Sequence, residues 1–202
     1  MKKNYMSFIS IVTPTFNEEE NIEELCLDIE KIFNKLNLKY EHIIIDNNSV
    51  DKTAEIVKNI IKKNSSVKLI VNNKNYGQLA SPVHAIKQSS GDAVILMNAD
   101  FQDPPELIPD LIKSWEDGSK ITLLQKEKSE EKNLMNNLKK FYYWFLNKIS
   151  KVKLTQNTTG SGIIDKSIVD IIKKINDPIP YLRGLLAELG PNINLLKFNQ
   201  PH

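Results

Sequence analysis

Ala93-Val94-Ile95-Leu96-Met97-Asn98-Ala99-Asp100-Phe101-Gln102-Asp103 decides how this chain is read. The apolar run 93–97 reads as a buried strand, and amides and carboxylates follow it without a break. Three earlier runs repeat the pattern. Phe8–Thr13 leads into Thr13-Pro14-Thr15-Phe16-Asn17-Glu18, His42–Ile45 into Asp46-Asn47-Asn48-Ser49-Val50-Asp51, and Val67–Val71 into Asn72-Asn73-Lys74-Asn75-Tyr76-Gly77. Between them, Asn21–Leu36 places Ile22, Leu25, Ile29, Ile32, Phe33 and Leu36 on one helical stripe. Ala54–Ile61 and Val83–Ile86 read as shorter amphipathic helices, with Pro82 suited to a first turn. Alternating strands and helices predict an α/β domain with a mostly parallel central sheet.

Beyond residue 103 the pattern predicts a helix from Pro104–Pro105 to Trp115, ended by Gly118, then a strand at Ile121–Leu124. A long helix is expected over 129–150, then a Thr/Gly/Ser loop at Thr155–Gly162. Helices near Lys166–Ile175 and Tyr181–Leu189 and a last strand near Ile193–Phe198 complete the chain.

In an open parallel sheet, ligands bind at the carboxyl ends of the strands, so the four polar clusters are the candidate site. Taken singly, each has a plain alternative: Asn17 and Asp51 could cap helices, and Asn-rich turns are common. All four on one sheet edge point to a ligand. The Asp46 loop is not an EF-hand, because Asp51 and Val57 stand where that loop needs Gly and Glu. No Gly-rich dinucleotide fingerprint or P-loop follows a strand. His42, His84 and His202 lack metal-ligand spacing, and the first two read as structural. Asn98 and Asp100, two residues apart at a strand end, suit a hard cation. Mg²⁺ or Mn²⁺ there would complete its shell with substrate phosphates.

The 202 residues are 41% hydrophobic and 26% charged, which suits one globular domain with a real core. A net charge of +2 gives no nucleic-acid signature. The single cysteine, Cys26, excludes an intramolecular disulfide framework and a Cys-rich zinc site. No apolar run reaches membrane-spanning length, and the N-terminus does not read as a signal peptide.

Ser10–Glu19, Ile45–Thr53, Asn75-Tyr76-Gly77 and Met97–Glu106 together resemble the family 2 glycosyltransferases of GT-A fold, in the polyprenyl-phosphate sugar transferase branch that includes dolichol-phosphate mannose synthase. The resemblance is specific over residues 7–115 and weakens after 120. It implies a Rossmann-like nucleotide-binding half over 1–120 and an acceptor, membrane-proximal half over 121–202. Pro14, Thr15, Asn17 and Glu18 would line the nucleotide pocket together with Asn98 and Ala99. Asp46 and Asn47 would lie near base and ribose, and Gly77 would permit close backbone approach to the donor. Asp100, helped by Gln102 and Asn98, would hold Mg²⁺ or Mn²⁺ on the diphosphate. The implied reaction is inverting transfer from a nucleotide diphosphate sugar to a membrane-associated acceptor, either polyprenyl phosphate or a lipid-linked saccharide, at the cytoplasmic face of the cell membrane. Competing readings are a sugar nucleotidyltransferase, which would want a Gly-rich basic loop after the first strand, and a non-catalytic nucleotide-sugar binder.

Departures from the family pattern sharpen these expectations. Asp46-Asn47 stands where relatives have Asp-Asp, and Asn98-x-Asp100 where they have Asp-x-Asp. The first change favours a cytidine donor, since an amide can donate to cytosine N3. The second weakens the metal site by one charge. Gln125-Lys126-Glu127-Lys128 and Thr158–Gly162 replace the arginines and the Asp/Arg pair of polyprenyl-phosphate loaders, leaving the acceptor open. Arg183, in a segment common in the branch, is assigned to a diphosphate or acceptor phosphate, with a surface helix residue as the alternative. Glu188 reads either as the base for a hydroxyl acceptor or as an exposed helix residue. Residues 120–153 hold nine lysines against three glutamates beside the aromatic run 141–145, which suits a membrane interface or equally a packed helix with a solvated lysine face. By analogy with the branch, the chain is expected to continue beyond Gln200-Pro201 into membrane helices.

Overall fold

A computed structural model describes residues 7–127, 158–177, 180–189 and 192–199. In chain order the elements are β1 (Phe8–Thr15), α1 (Ile22–Leu36), β2 (Lys39–Asp46), α2 (Thr53–Ile61), β3 (Val67–Val71), α3 (Gly77–Gln88) and β4 (Ala93–Leu96). A 3₁₀ turn (Pro105–Leu107) then leads into α4 (Ile108–Glu116), β5 (Ile121–Lys126), β6 (Thr158–Asp165), α5 (Lys166–Lys174), α6 (Leu182–Leu189) and β7 (Ile193–Phe198).

The strands form one seven-stranded sheet in the order β3-β2-β1-β4-β6-β5-β7. β1, β2, β3 and β4 are parallel, β5 and β7 share their direction, and β6 alone runs against its neighbours. Helices cover both faces, which is why the strand sequences are continuous apolar runs rather than alternating ones. Successive side chains still go to opposite sides. Ile9, Ile11, Ile44 and Ile95 pack with Leu25, Ile29 and Phe33 of α1 and Leu111 and Trp115 of α4. Val12, Ile43, Ile45 and Val94 pack with Val83 and Ile86 of α3 and Val169 and Ile172 of α5.

α1 begins one residue after the predicted start and carries Glu23 and Glu24 in its first turn, where they suit the helix dipole. It ends at Asn37, whose left-handed backbone (φ 53°) folds its N–H back onto the Phe33 and Asn34 carbonyls.

Two expectations are corrected. α3 starts at Gly77, so Pro82 is interior to the helix. The proline costs the bond that residue 82 would give the Gln78 carbonyl, and its ring is buried in compensation. Residues 158–162, expected in a loop, begin β6 between β4 and β5. Gly162 is what admits it: a Cβ there would stand 2.1 Å from the Thr122 carbonyl oxygen of β5. The helix expected over 129–150 and the lysine-aromatic stretch 128–153 lie outside the described residues. His42 is structural, as expected. It is buried, it shares a 2.9 Å hydrogen bond with Thr13 Oγ1, and burial lowers its pKa to about 3.

Candidate functional site

The chain lays strands outward from β1 through β2 to β3, then returns to place β4 on the other side of β1. That reversal opens a crevice at the carboxyl ends of β1 and β4, the switch point where open α/β sheets hold ligands. β6, running the other way, brings its first residues to the same edge. The crevice has a volume of about 610 Å³. The end of β1 contributes Pro14, Thr15, Phe16 and Glu18, and the β2 loop contributes Asn47. Leu96, Asn98, Ala99, Asp100 and Gln102 come from β4 and its loop. Gln78, Leu79 and Pro82 of α3, Thr159 and Gly160 of β6, and Tyr181, Leu182 and Arg183 at the start of α6 close it.

Most of the predicted residues are therefore brought together, and four are not. Asn17, with φ 58°, is a clip between loops: its N–H donates to Ser49 Oγ at 2.9 Å and its Oδ1 accepts from the Val50 N–H at 3.0 Å. It caps no helix either, since α1 starts behind Asn21. Asp46 is buried and accepts from the Ser49 N–H at 3.1 Å and the Ser49 hydroxyl at 2.5 Å, so it shapes the β2 turn beneath the crevice. Gly77 is not among the crevice-lining residues; it starts α3 at φ 79°, a conformation that favours glycine, and a Cβ there would meet no protein atom within 4 Å. Glu188 is exposed on α6 and does not line the crevice. Five residues beyond Arg183 the helix has turned by about 140° and risen by ~7.5 Å.

Asn47 does reach the crevice, and its carboxamide also organises the wall. Oδ1 accepts from Asn72 Nδ2 and from the Tyr76 N–H, each at 3.0 Å, while Nδ2 donates to the Gly77 carbonyl at 3.3 Å. Both Oδ1 positions are spent, and one Nδ2 hydrogen is left. Asp51 holds the adjoining turn by accepting from the Thr53 N–H and hydroxyl. Glu18 Oε2 accepts from Asn21 Nδ2 at 2.9 Å.

The β4 loop is strained. Phe101 sits at φ 54°, a left-handed conformation that costs a bulky L-residue ~1–2 kcal/mol, and its ring packs against the α1 side of the core. Asp100 is exposed and accepts from the Gln102 N–H at 3.2 Å. Gln102 Oε1 accepts from Lys126 Nζ at 3.5 Å. Among the described residues no three His, Cys, Asp or Glu side chains converge on a metal position. One carboxylate and two amides, Asp100, Asn98 and Gln102, are hard oxygen donors. They fit Mg²⁺ or Mn²⁺ in the way these ions are held with substrate phosphates, and do not fit a self-sufficient cage.

Behind the loop lies Asp103, fully buried. Its Oδ2 accepts from the Ser161 hydroxyl of β6 at 2.5 Å, and its Oδ1 has no hydrogen-bond partner. Burial raises its pKa against the pull of the Ser161 and Thr159 hydroxyls. β6 bulges here, its pairing with β5 skipping from Leu123–Gly162 to Gln125–Thr158. Within the bulge, Gly160 (φ 92°) leaves room for the Arg183 guanidinium, which would stand 3.4 Å from a Cβ at that position. Arg183 is half-buried in the crevice wall. Thr159 and Gly160 lie in the segment that stands where polyprenyl-phosphate loaders carry an Asp/Arg pair, and their polar, glycine-bearing sequence, which reads as a loop, gives them no site role of their own. Phe16 stood inside a predicted cluster, and its apolar character drew no chemical role.

A doubly covered α/β sheet with a polar crevice at its switch point is the arrangement in which open α/β proteins hold ligands. The sequence profile of Glycosyl transferase family 2 matches residues 10–169, and the chain belongs to that family. Similar proteins include the bactoprenol glucosyl transferase of Shigella phage SfV, 27% identical over 191 residues, covering 94% of this chain and 62% of that protein. The putative glycosyltransferase CsbB of Bacillus subtilis is 29% identical over 182 residues, covering 90% of this chain and 55% of CsbB. The chain thus spans little more than half the length of these curated relatives. Among solved structures, glucosyl-3-phosphoglycerate synthase from Mycobacterium tuberculosis in complex with Mn²⁺ and UDP-glucose superposes with a TM-score of 0.67 at 17% identity, covering 97% of this chain and 71% of that one. S. aureus TarS 1–349 with UDP-GlcNAc gives 0.62 at 19% identity, covering 96% and 59%. These likenesses support the GT-A fold expected from the sequence.

Proposed function

We propose that this chain is the catalytic domain of a glycosyltransferase that moves a sugar from a nucleoside diphosphate sugar to a lipid-linked phosphate at the cytoplasmic face of a membrane. The observation that carries the reading is the composition of the crevice. Its lining combines Asp100, Asn98, Gln102 and Arg183 with three exposed apolar or aromatic side chains, Phe16 (45%), Leu79 (47%) and Tyr181 (44%), from three different parts of the chain. Charged and amide groups lining one crevice with exposed apolar side chains suit a ligand that carries both phosphates and hydrocarbon. The family and the bactoprenol glucosyl transferase relative point the same way.

In this reading an acceptor phosphate oxygen attacks the anomeric carbon from the face opposite the leaving group. The bond from that carbon to the diphosphate oxygen breaks, and the configuration inverts as the nucleoside diphosphate departs. A phosphate acceptor is already ionised, so no residue need remove a proton. This agrees with the position of Glu188 away from the crevice, and with Glu18 and Asp100 as the carboxylates among its described lining residues. Glu18 is engaged by Asn21, and Asp100 sits beside the two amides as the charged member of a cation site. A divalent ion held by Asp100, Asn98 and Gln102 would offset the charge that develops on the leaving diphosphate. Arg183 would bind phosphate oxygens from the opposite wall. Phe16 offers a flat apolar face for the base, and the remaining Nδ2 hydrogen of Asn47 can donate to cytosine N3, which favours a cytidine donor. Among the described residues no helix is long and apolar enough to cross a membrane.

Calorimetric titration with CDP, UDP and GDP, with and without Mn²⁺, tests the donor side. Metal-dependent binding with CDP preferred is expected; preference for UDP or GDP overturns the base assignment, and binding of none overturns the site. Transfer to a short-chain polyprenyl phosphate, with a free saccharide as comparison, tests the acceptor. Transfer to the saccharide alone would overturn the phosphate reading.

A further inference from the structure

Asp103 is the one buried side chain among the described residues that keeps an unpartnered polar atom. It lies directly after the crevice residue Gln102 and three residues after Asp100, yet it does not line the crevice itself. Its bond from Ser161 crosses 58 residues of chain and ties the β4 loop to the bulge of β6. Each anchor sits beside crevice-lining residues, Asp100 and Gln102 on one side and Thr159 and Gly160 on the other. The loop so tied carries Phe101 in its left-handed conformation, which persists only where surrounding contacts over-determine it. The α1-side packing of Phe101 fixes one flank of the loop. The Ser161–Asp103 bond fixes the other.

We infer that Asp103 and Ser161 form a positioning latch that holds residues 98–102 in the shape that receives the metal–diphosphate group, and so couples the donor side of the crevice to the β6–Arg183 wall. Neither residue touches the ligand. A buried carboxylate with one free oxygen is an expensive way to fasten a loop for stability alone, whereas a carboxylate oxygen takes a strong, short bond from a hydroxyl and pins both partners. The inference rests on the cavity reading for what the loop receives, but the fastening can be tested without it.

Two readouts on Ser161→Ala, Asp103→Ala and Asp103→Asn separate these. Hydrogen exchange of a peptide covering 97–105 reports the fastening without any ligand. Calorimetry with a nucleoside diphosphate and Mn²⁺ reports its consequence. Ser161→Ala is expected to speed exchange in that peptide and to weaken nucleotide–Mn²⁺ binding by about tenfold, the scale of one lost charge-assisted hydrogen bond. Asp103→Asn, which can still accept from Ser161, should recover most of both. If Asp103→Ala does not fold, Ser161→Ala still decides the matter. Unchanged exchange in 97–105 for Ser161→Ala overturns the latch. So does faster exchange with nucleotide–Mn²⁺ affinity within twofold of the parent, which would leave Asp103 a purely structural group. A parent protein that binds no nucleoside diphosphate overturns the cavity reading and the latch's purpose together, while exchange alone still reports whether the fastening exists.

Discussion

Two carboxylates at the amino edge of the sheet and two at the carboxyl edge are treated in opposite ways. At the amino ends of the parallel strands, Glu41 is buried and accepts from Ser10 Oγ, the Ser90 N–H and hydroxyl, and Lys68 Nζ. Asp165, which β6 delivers to the same edge by running backwards, accepts from Trp115 Nε1, Lys120 Nζ and the Ser167 N–H and hydroxyl. Burial pushes both pKa values up, and the donors together outweigh it, so both carboxyls end below their usual range. At the carboxyl ends, Asp100 is exposed with one donor, and Asp103 is buried with an oxygen unpartnered. Asn17, Asn48 and Phe101 there all adopt positive φ. One edge is saturated and fixes the fold. The other keeps polar capacity and strain in reserve, as expected where a ligand completes the structure.

The largest effect expected is on chemistry. Asp100→Ala should lower kcat/KM by roughly 10³, or ~4 kcal/mol of transition-state stabilisation. Its denaturation midpoint should stay put, because the side chain is exposed and makes one local bond. A loss of stability as large as the loss of rate would erase the division between the edges. Glu41→Ala is the mirror image. Its donors would lose a shared acceptor at a cost of ~3 kcal/mol in urea denaturation, with nucleotide binding by the folded fraction unchanged. A cost under ~1 kcal/mol would show that the saturated edge is not what holds the sheet.

Acid titration probes the same half of the sheet. Glu41 and Asp165 have lowered folded pKa values, so their contribution is present above the unfolded carboxylate pKa and lost as pH falls through the folded one. His42 acts earlier. Its usual pKa of 6.5 falls to about 3 on burial, so between these values the unfolded chain binds a proton that the folded chain refuses. Stability should fall with decreasing pH across that window by up to ~1.4 kcal/mol per unit. His42→Gln should flatten the part of the slope above about pH 5, where the carboxylates are still ionised. A slope that persists unchanged assigns the acid lability elsewhere.

Much of this is legible in the sequence because strands buried on both faces are continuous apolar runs, and those of β1, β2 and β4 end abruptly at residues that reach the crevice, whereas the Asn72–Gly77 cluster after β3 does not line it. The start of β6 is not legible because Thr158, Thr159, Gly160, Ser161 and Gly162 carry no apolar period; what admits them as a central strand is Gly162, paired with Leu123 and pressed so close to the Thr122 carbonyl that no Cβ fits. The family resemblance implies ligand roles for Asn17 and Asp46, and sequence does place them on the crevice edge, but it cannot tell a side chain that faces the crevice from one that knots two loops beneath it. For Glu188 the resemblance left two readings, a base or an exposed helix residue, and its position around α6 from Arg183 agrees with the second.

The smallest effect expected is the most direct test of why the carboxyl edge is left unsaturated. Asn98 sets the charge of the site at a single exposed carboxylate, so a divalent cation should bind the free protein poorly and gain most of its affinity once a diphosphate supplies further oxygens. Asn98→Asp adds a second carboxylate two residues from the first. Mn²⁺ affinity measured without nucleotide should then rise by about tenfold, the scale of one added charge-assisted ligand. With nucleoside diphosphate present the gain should shrink, because the phosphates already provide the negative charge. Equal gains with and without nucleotide would mean that ion and diphosphate do not share the site, and the reserve of polar capacity at this edge would need another occupant.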